Sequence, residues 1–365
     1  IKAFSANQWP LFQAHRDGGL GPEMSSMQSV RSFAMGILQF IAGIVLVAGL
    51  TVLIRQVPHD RDLPPGWSII RPPHEVSALA LQGDVVWAGG KDGLMAIDRP
   101  TGRLLPLPTG LPEMKYVSDL LIGTGGDLWI AHSAGVSRCV GGVRETCSRE
   151  EGFPPGPAMS LLEDREGAIW AGTEQGVFRY DGRTWHPLTT DKGAGSGPVD
   201  VLYQDRDGII WLGSSSPTQG SLASFDGKVW RPYTSRDGLA HNSVNAILQD
   251  HHGAIWFATG FGSRGGATRL ADGTWTSLTR GDGLAGEKVR SIFEDCDGCL
   301  WFGSEYDGIA VSNGTTWRVF TPGDGLSGWE VKEMLQDSDG IYWLGTEDGV
   351  TRITPSGMPQ SRKES

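Results

Sequence analysis

From residue 76 onward the chain sets apolar and polar positions in short alternating runs, broken by glycine-rich turns. Runs of about four to eight residues with a two-residue period predict half-buried β-strands. "VDVLYQD" (199–205) is one such run, and "IIWLG" follows it after a tight turn. A third strand lies beyond a Gly turn, as "QGVFRYD" (175–181) does in the preceding unit, and a fourth often carries a second aromatic: Trp185, Trp230, Trp275 or Trp317.

The Trp-bearing strand is written seven times, as "VVWAG", "DLWIA", "AIWAG", "IIWLG", "AIWFA", "CLWFG" and "IYWLG". Its tryptophans are Trp87, Trp129, Trp170, Trp211, Trp256, Trp301 and Trp343, at spacings of 42, 41, 41, 45, 45 and 42. A period of about 40–45 residues built from short strands marks the four-stranded blades of a propeller. Helical repeats of that length would carry a 3.6-residue apolar period, which is absent. The turn between the first two strands reads "DREG", "DRDG", "DHHG", "DCDG" and "DSDG", placing Asp164, Asp205, Asp250, Asp295 and Asp337 in equivalent positions. Asp there accepts local backbone hydrogen bonds and Gly supplies a left-handed conformation.

The last unit has three strands, "VKEMLQD", "IYWLGT" and "GVTRIT", and lacks an outer one. "GWSIIRP" (66–72) resembles the outer strand "TWRVFTP" (316–322) and precedes the first full unit. Trp67 is therefore expected in the outer strand of the blade that holds Trp343, closing the ring and removing exposed edges. The fold expected is all-β: a seven-bladed β-propeller over 66–354, closed by an N-terminal outer strand and preceded by one transmembrane helix.

Composition adds weight to this picture. The 53 glycines suit many tight turns, and 12 of the 14 tryptophans fall at the two repeat positions, so structure accounts for them. The net charge is −11, and residues 63–365 alone hold 26 basic against 38 acidic residues. Such a body repels phosphate backbones and excludes nucleic acid as a partner.

Residues 32–54, "SFAMGILQFIAGIVLVAGLTVLI", run 23 positions without a charge between Arg31 and Arg55. About 20 residues span a bilayer core, so the segment is expected to be an uncleaved anchor. A cleaved signal peptide is the alternative, with a usual apolar stretch of about 7–15 residues and an Ala-x-Ala site that is missing here. Residues 1–31 are expected to be a cytoplasmic tail, 55–65 a Pro-containing linker and 355–365 a C-terminal tail. Basic residues are balanced across the segment, Arg16 and Arg31 against Arg55 and Arg61. Orientation rests instead on the four cysteines, all in the C-terminal body, which suit an oxidising compartment. The localisation expected is the bacterial inner membrane, single-pass, with the propeller on the periplasmic side. The linker reaches at most about 36 Å, which keeps the ring close to the bilayer.

These repeats resemble the two-component regulator propeller family. The resemblance rests on "VDVLYQDRDGIIWLGS", "VNAILQDHHGAIWFAT" and "VKEMLQDSDGIYWLGTEDGVTRI", and on "DGL" at 237–239, 282–284 and 324–326. It covers about 66–354 and implies an extracytoplasmic input region of a bacterial sensor kinase. The second repeat departs from the pattern, with "IGTGGDLW" in place of the Asp turn. Only "PSGMPQSRKES" follows the last blade here, so the expectation is a propeller without a kinase output domain.

Catalytic chemistry is hard to find. "GFGSRG" (260–265) satisfies Gly-x-Gly-x-x-Gly, but strand, not helix, follows, so a dinucleotide site is excluded. The "DxDG" strings lack the spaced ligands of a calcium loop, and the eight histidines show no metal-ligand spacing. No catalytic residue, metal or cofactor is expected. Two structural disulfides are, Cys139 with Cys147 across a hairpin and Cys296 with Cys299 in a turn, a redox-active Cys-x-x-Cys being the alternative.

What remains is surface. Units four and five carry about four extra residues between strands two and three, "SSSPTQGS" (214–221) and "GFGSRGGA" (260–267), and Trp329 lies outside the repeat positions. In a four-stranded blade those connections share one face with the outer-to-inner ones. Trp329, Phe261, Arg264, Thr218 and Gln219 form the contact face expected, while Trp67, Trp87, Trp129, Trp170, Trp211, Trp256, Trp301 and Trp343 hold the blades. Loop insertions on one face suit binding. The function expected is a non-enzymatic, membrane-anchored scaffold or accessory subunit of a larger bacterial membrane complex, photosynthetic or respiratory, with membrane protein subunits as partners. The alternative is an extracytoplasmic sensor of a small-molecule ligand, signalling through a separate partner.

Overall fold

The computed structural model describes residues 63–108, 114–140, 143–146, 151–188, 197–216 and 222–358. Expectations for residues 1–31, 32–54, most of the linker and the end of the C-terminal tail lie outside them. No helix among the described residues is long and apolar enough to cross a membrane. The strands form seven four-stranded antiparallel sheets, so the all-β, seven-bladed propeller stands. Closure is as expected: Trp67–Ile70 pairs with Gly349–Ile353 as the outer strand of the last sheet, Trp67 opposite Ile353 and Ile70 opposite Val350.

The Asp turn does more than shape a loop. Asp164 Oδ1 accepts the N–H groups of Glu166 and Ala168, at 3.1 and 2.8 Å, while its Oδ2 accepts Trp170 Nε1–H at 2.7 Å. The same indole bond recurs from Trp211 to Asp205, Trp256 to Asp250, Trp301 to Asp295 and Trp343 to Asp337, at 2.8, 2.8, 2.8 and 3.1 Å. A buried indole N–H needs an acceptor, so Asp and Trp six residues apart form one unit. Neighbouring blades are tied at the same level. Gln204, Gln249 and Gln336 accept the N–H of Arg165, Arg206 and Cys296 from the blade before, at 2.9, 2.8 and 2.9 Å.

The second repeat replaces this device. Gly123 stands where five of the other repeats have Asp, and Thr124 donates both its N–H and its hydroxyl to Glu163 of the next blade, at 2.7 and 2.6 Å.

All eight blade tryptophans are buried; Trp301 and Trp343 are fully enclosed. A glycine two residues after the Trp lets the next blade come close: at Gly303 a Cβ would strike the Val331 carbonyl and the Ser291 hydroxyl. The "DGL" loops run from an outer strand to the next inner strand and pack on the next blade's outer Trp. Asp324 accepts Thr321 N–H and hydroxyl, both at 2.9 Å, Gly325 is left-handed at φ 119°, and a Cβ there would meet the Trp67 ring. Trp67 also packs on Phe320 at 5.7 Å and donates to the Gly357 carbonyl at 2.9 Å. The closing strand is therefore held by both its own blade and the preceding one.

One expectation is corrected. Cys296 and Cys299 are free thiols, not a disulfide. Asp295 clamps the turn, accepting Asp297 and Cys299 N–H at 3.0 and 2.8 Å. This leaves Cys296 exposed while Cys299 packs against the core of the last two blades. Cys139 is buried in blade two; Cys147 lies outside the described residues.

Candidate functional site

The innermost strands are 76–82, 117–122, 158–163, 201–204, 244–249, 289–294 and 331–336, and the first touches both the second and the last. In six of them the register slips at the second residue, as between Val331 and Glu333. Such a bulge turns two successive residues to one side. The second and third positions of the repeat accordingly both line an axial channel of about 550 Å³. Its mouth carries Ser77, Ser118, Asp200, Asn245, Arg290 and Lys332; below them stand Asp119, Ser160, Ser291 and Glu333.

The cations at the mouth are engaged. Arg290 Nε lies 3.1 Å from Glu330, and Lys332 Nζ lies 3.3 Å from Glu330 and also pairs with Glu75. Burial raises the pKa of Glu330, opposed by the charges of Lys332 and Arg290. Deeper in, burial pushes Asp119 up to about 7, against the N–H groups of Leu161 and Leu120 that it accepts. Burial pushes Glu333 up to about 8, and the charge of Asp119 adds to that. These two carboxyls flank blade one, which has only Ala78 at the equivalent position.

On the same face, connections of blades five to seven carry an aromatic rim. Phe261 and Arg264 are exposed and directly paired at the tip of the extended hairpin of blade five, Phe261 at 50%. Lys288 Nζ sits 5.7 Å from the Phe261 ring and pairs with Glu305. Tyr306 beside it is 59% exposed, and Glu305 raises its pKa by accepting its hydroxyl. Burial opposes ionisation of Glu305, but its bonds to Lys288 and Tyr306 win and hold its pKa low. Trp329 is half-buried; its N–H reaches Glu347 at 2.8 Å and its carbonyl accepts Gly308 N–H at 2.9 Å. Phe261, Arg264 and Trp329 thus share a face with the mouth, joined by Tyr306. Thr218 and Gln219 lie outside the described residues.

The channel residues and Tyr306 escaped sequence reasoning. The available signal was the pair of variable positions after each inner-strand valine, which a bulge turns inward. The other Cys proposal does not gain from the geometry: burial and the charge of Asp295 push the Cys299 thiol up to about 11, away from the reactive thiolate. No group of three or more metal-ligating side chains occurs among the described residues.

The two component regulator propeller family matches the chain over residues 152–175, 193–216 and 238–261, each running through an inner strand into its Trp strand. Three of the seven blades thus carry two-component regulator propeller repeats. Among solved structures, the extracellular domain of BT3049, a hybrid two component system of B. thetaiotaomicron, is similar at 19% identity and TM-score 0.69, over 80% of this chain and 42% of that one. PorZ, an essential surface component of the type-IX secretion system of Porphyromonas gingivalis, is similar at 14% identity and TM-score 0.62, over 81% of this chain and 48% of its own. This chain thus spans less than half of either protein. Catalytically inactive virginiamycin B lyase from Staphylococcus aureus with quinupristin is similar at 14% identity and TM-score 0.59, over 79% and 98%. At such identities the likeness is one of fold. No curated protein matches the chain.

Proposed function

We propose that this chain is a non-enzymatic recognition propeller outside the cytoplasm, held to the bacterial inner membrane by residues 32–54, and docking protein subunits of a membrane assembly through its rim. The observation that carries this reading is the exposure of Phe261 and Tyr306 on the face that also holds Trp329, together with the ion pairs Lys288–Glu305 and Arg290–Glu330. Aromatic side chains amid paired charges are the composition of protein contact sites. The engaged state of the cations supports binding over catalysis, since none is left to activate a substrate. Propellers in surface components and sensor ectodomains support an extracytoplasmic placement.

The test is extraction of the native membrane in gentle detergent, pull-down of the chain and mass spectrometry. A stoichiometric set of membrane proteins, lost when Phe261, Tyr306 and Trp329 are all changed to Ala, is the expected result. Unchanged co-purification of the variant would reject the rim. A second reading, ligand sensing through a separate partner, is favoured by the polar channel; there the chain would extract alone or with a substoichiometric kinase.

A further inference from the structure

The channel is an excess of hydrogen-bond acceptors. The Ser118 hydroxyl donates to the Ala158 carbonyl at 2.6 Å and that of Ser291 to the Val331 carbonyl at 2.7 Å, each on the next blade. Their protons are spent on the wall, so their lone pairs remain for the channel. Asn245 Nδ2 donates to the carbonyls of Val289 and Gly260, at 2.7 and 3.3 Å, which fixes its amide orientation. Its Oδ1 is then buried without a hydrogen-bond partner among the described residues, an arrangement that favours a donor from outside the wall. Asp119 accepts two wall N–H groups, from Leu120 and Leu161, and Glu333, among the described residues, accepts that of Met334 alone, at 3.1 Å. Arg290 and Lys332 do not balance these acids, because Glu75 and Glu330 hold them at the mouth.

A matching ligand brings donors and positive charge. A primary ammonium carries three donors and no acceptor, and gains most where its charge meets carboxylates away from bulk water. We propose that the channel binds a small primary-ammonium compound, its cationic head between Asp119 and Glu333 and its remaining donors toward Asn245 and the serine hydroxyls. The site rests on the ligand-sensing reading of the propeller, and is independent of the rim as a protein contact.

The test uses the full chain in detergent at pH 8, with 1,4-diaminobutane as probe and 1,4-butanediol as its uncharged match. Calorimetric titration is expected to show the diamine binding at least tenfold tighter than the diol and raising the thermal midpoint. Glu333→Gln keeps an acceptor for Met334 N–H and is expected to weaken diamine binding about tenfold without lowering the midpoint of the unliganded protein. Asp119→Asn serves as the second variant should the first fold poorly. Equal binding of diamine and diol, absence of diamine binding, or undiminished binding by both variants would overturn the site. Pull-down of the same variants separates the two claims. Intact partner capture with no diamine response rejects the channel alone, whereas diamine binding with no rim-dependent partner rejects the docking reading alone.

Discussion

The two faces of the ring are built from the same seven repeats but written differently. On the face of the first turns, Asp164, Asp205, Asp250, Asp295 and Asp337 each hold their own Trp indole, with nearly the same distances in these five blades. On the opposite face, the residues at equivalent mouth positions run Ser77, Ser118, Met159, Asp200, Asn245, Arg290 and Lys332. A buried indole needs an acceptor, so the first face repeats in five blades, while in blade one Gln82 accepts Trp87 Nε1–H at 2.9 Å instead. A channel mouth places no such demand, so the second face is free to differ, and its differences concentrate charge and aromatic surface.

The comparison can be broken most strongly at closure. Trp67→Ala removes a buried ring that joins two blades and is expected to cost about 3–5 kcal/mol, read by chemical denaturation, with aggregation as the freed edge of 349–353 is exposed. Next is Asp205→Ala, which strands the Trp211 indole and two turn N–H groups; a loss of about 2–4 kcal/mol is expected by the same assay. The channel carboxyls come third. Their folded pKa values lie above the usual range, at about 7 and about 8. The folded protein therefore holds protons that the unfolded chain releases, and stability falls as pH rises from about 4 to about 8. Asp200, Arg290 and Lys332 line the same channel. Glu333→Gln should flatten the fall and stabilise the protein at pH 8 by about 1–2 kcal/mol, the full shift being screened by water in the channel; thermal melts across pH measure it. The smallest effect sharpens the contrast. Gly123→Asn, which returns a turn acceptor beside Trp129, whose Nε1 lies 3.4 Å from the position of an added Cβ, is expected to stabilise by about 0.5–1 kcal/mol.

The architecture was legible because its demands repeat. Seven Trp strands at near-constant spacing, and a "GWSIIRP" segment written like an outer strand, lead directly to seven blades and their closure. The Asp-to-Trp bond was only half visible: the turn chemistry of Asp164 was clear, but its second oxygen reaches a side chain six residues on. The face of Phe261, Arg264 and Trp329 followed from blade topology alone. The channel did not, because alternation puts only one of two successive strand residues inward, and the bulges that turn both inward leave no fixed residue type. Asp119 and Glu333 are read as neighbours only once blade one, with Ala78, stands between them. The Cys296–Cys299 pair misled for a related reason: close spacing says nothing about direction, and Asp295 sends one thiol to the core and the other to solvent.

The central claim is that recognition belongs to the mouth face. The direct measurement is native-membrane pull-down of three forms side by side: the unaltered chain, the rim variant with Phe261, Tyr306 and Trp329 changed to Ala, and a variant of the opposite face with exposed Glu166, Asp207 and His252 changed to Ala. Loss of partners from the rim variant alone, with both variants as stable as the parent within about 1 kcal/mol, is the predicted result. Loss from the opposite-face variant, with the rim variant retaining its partners, would contradict the account.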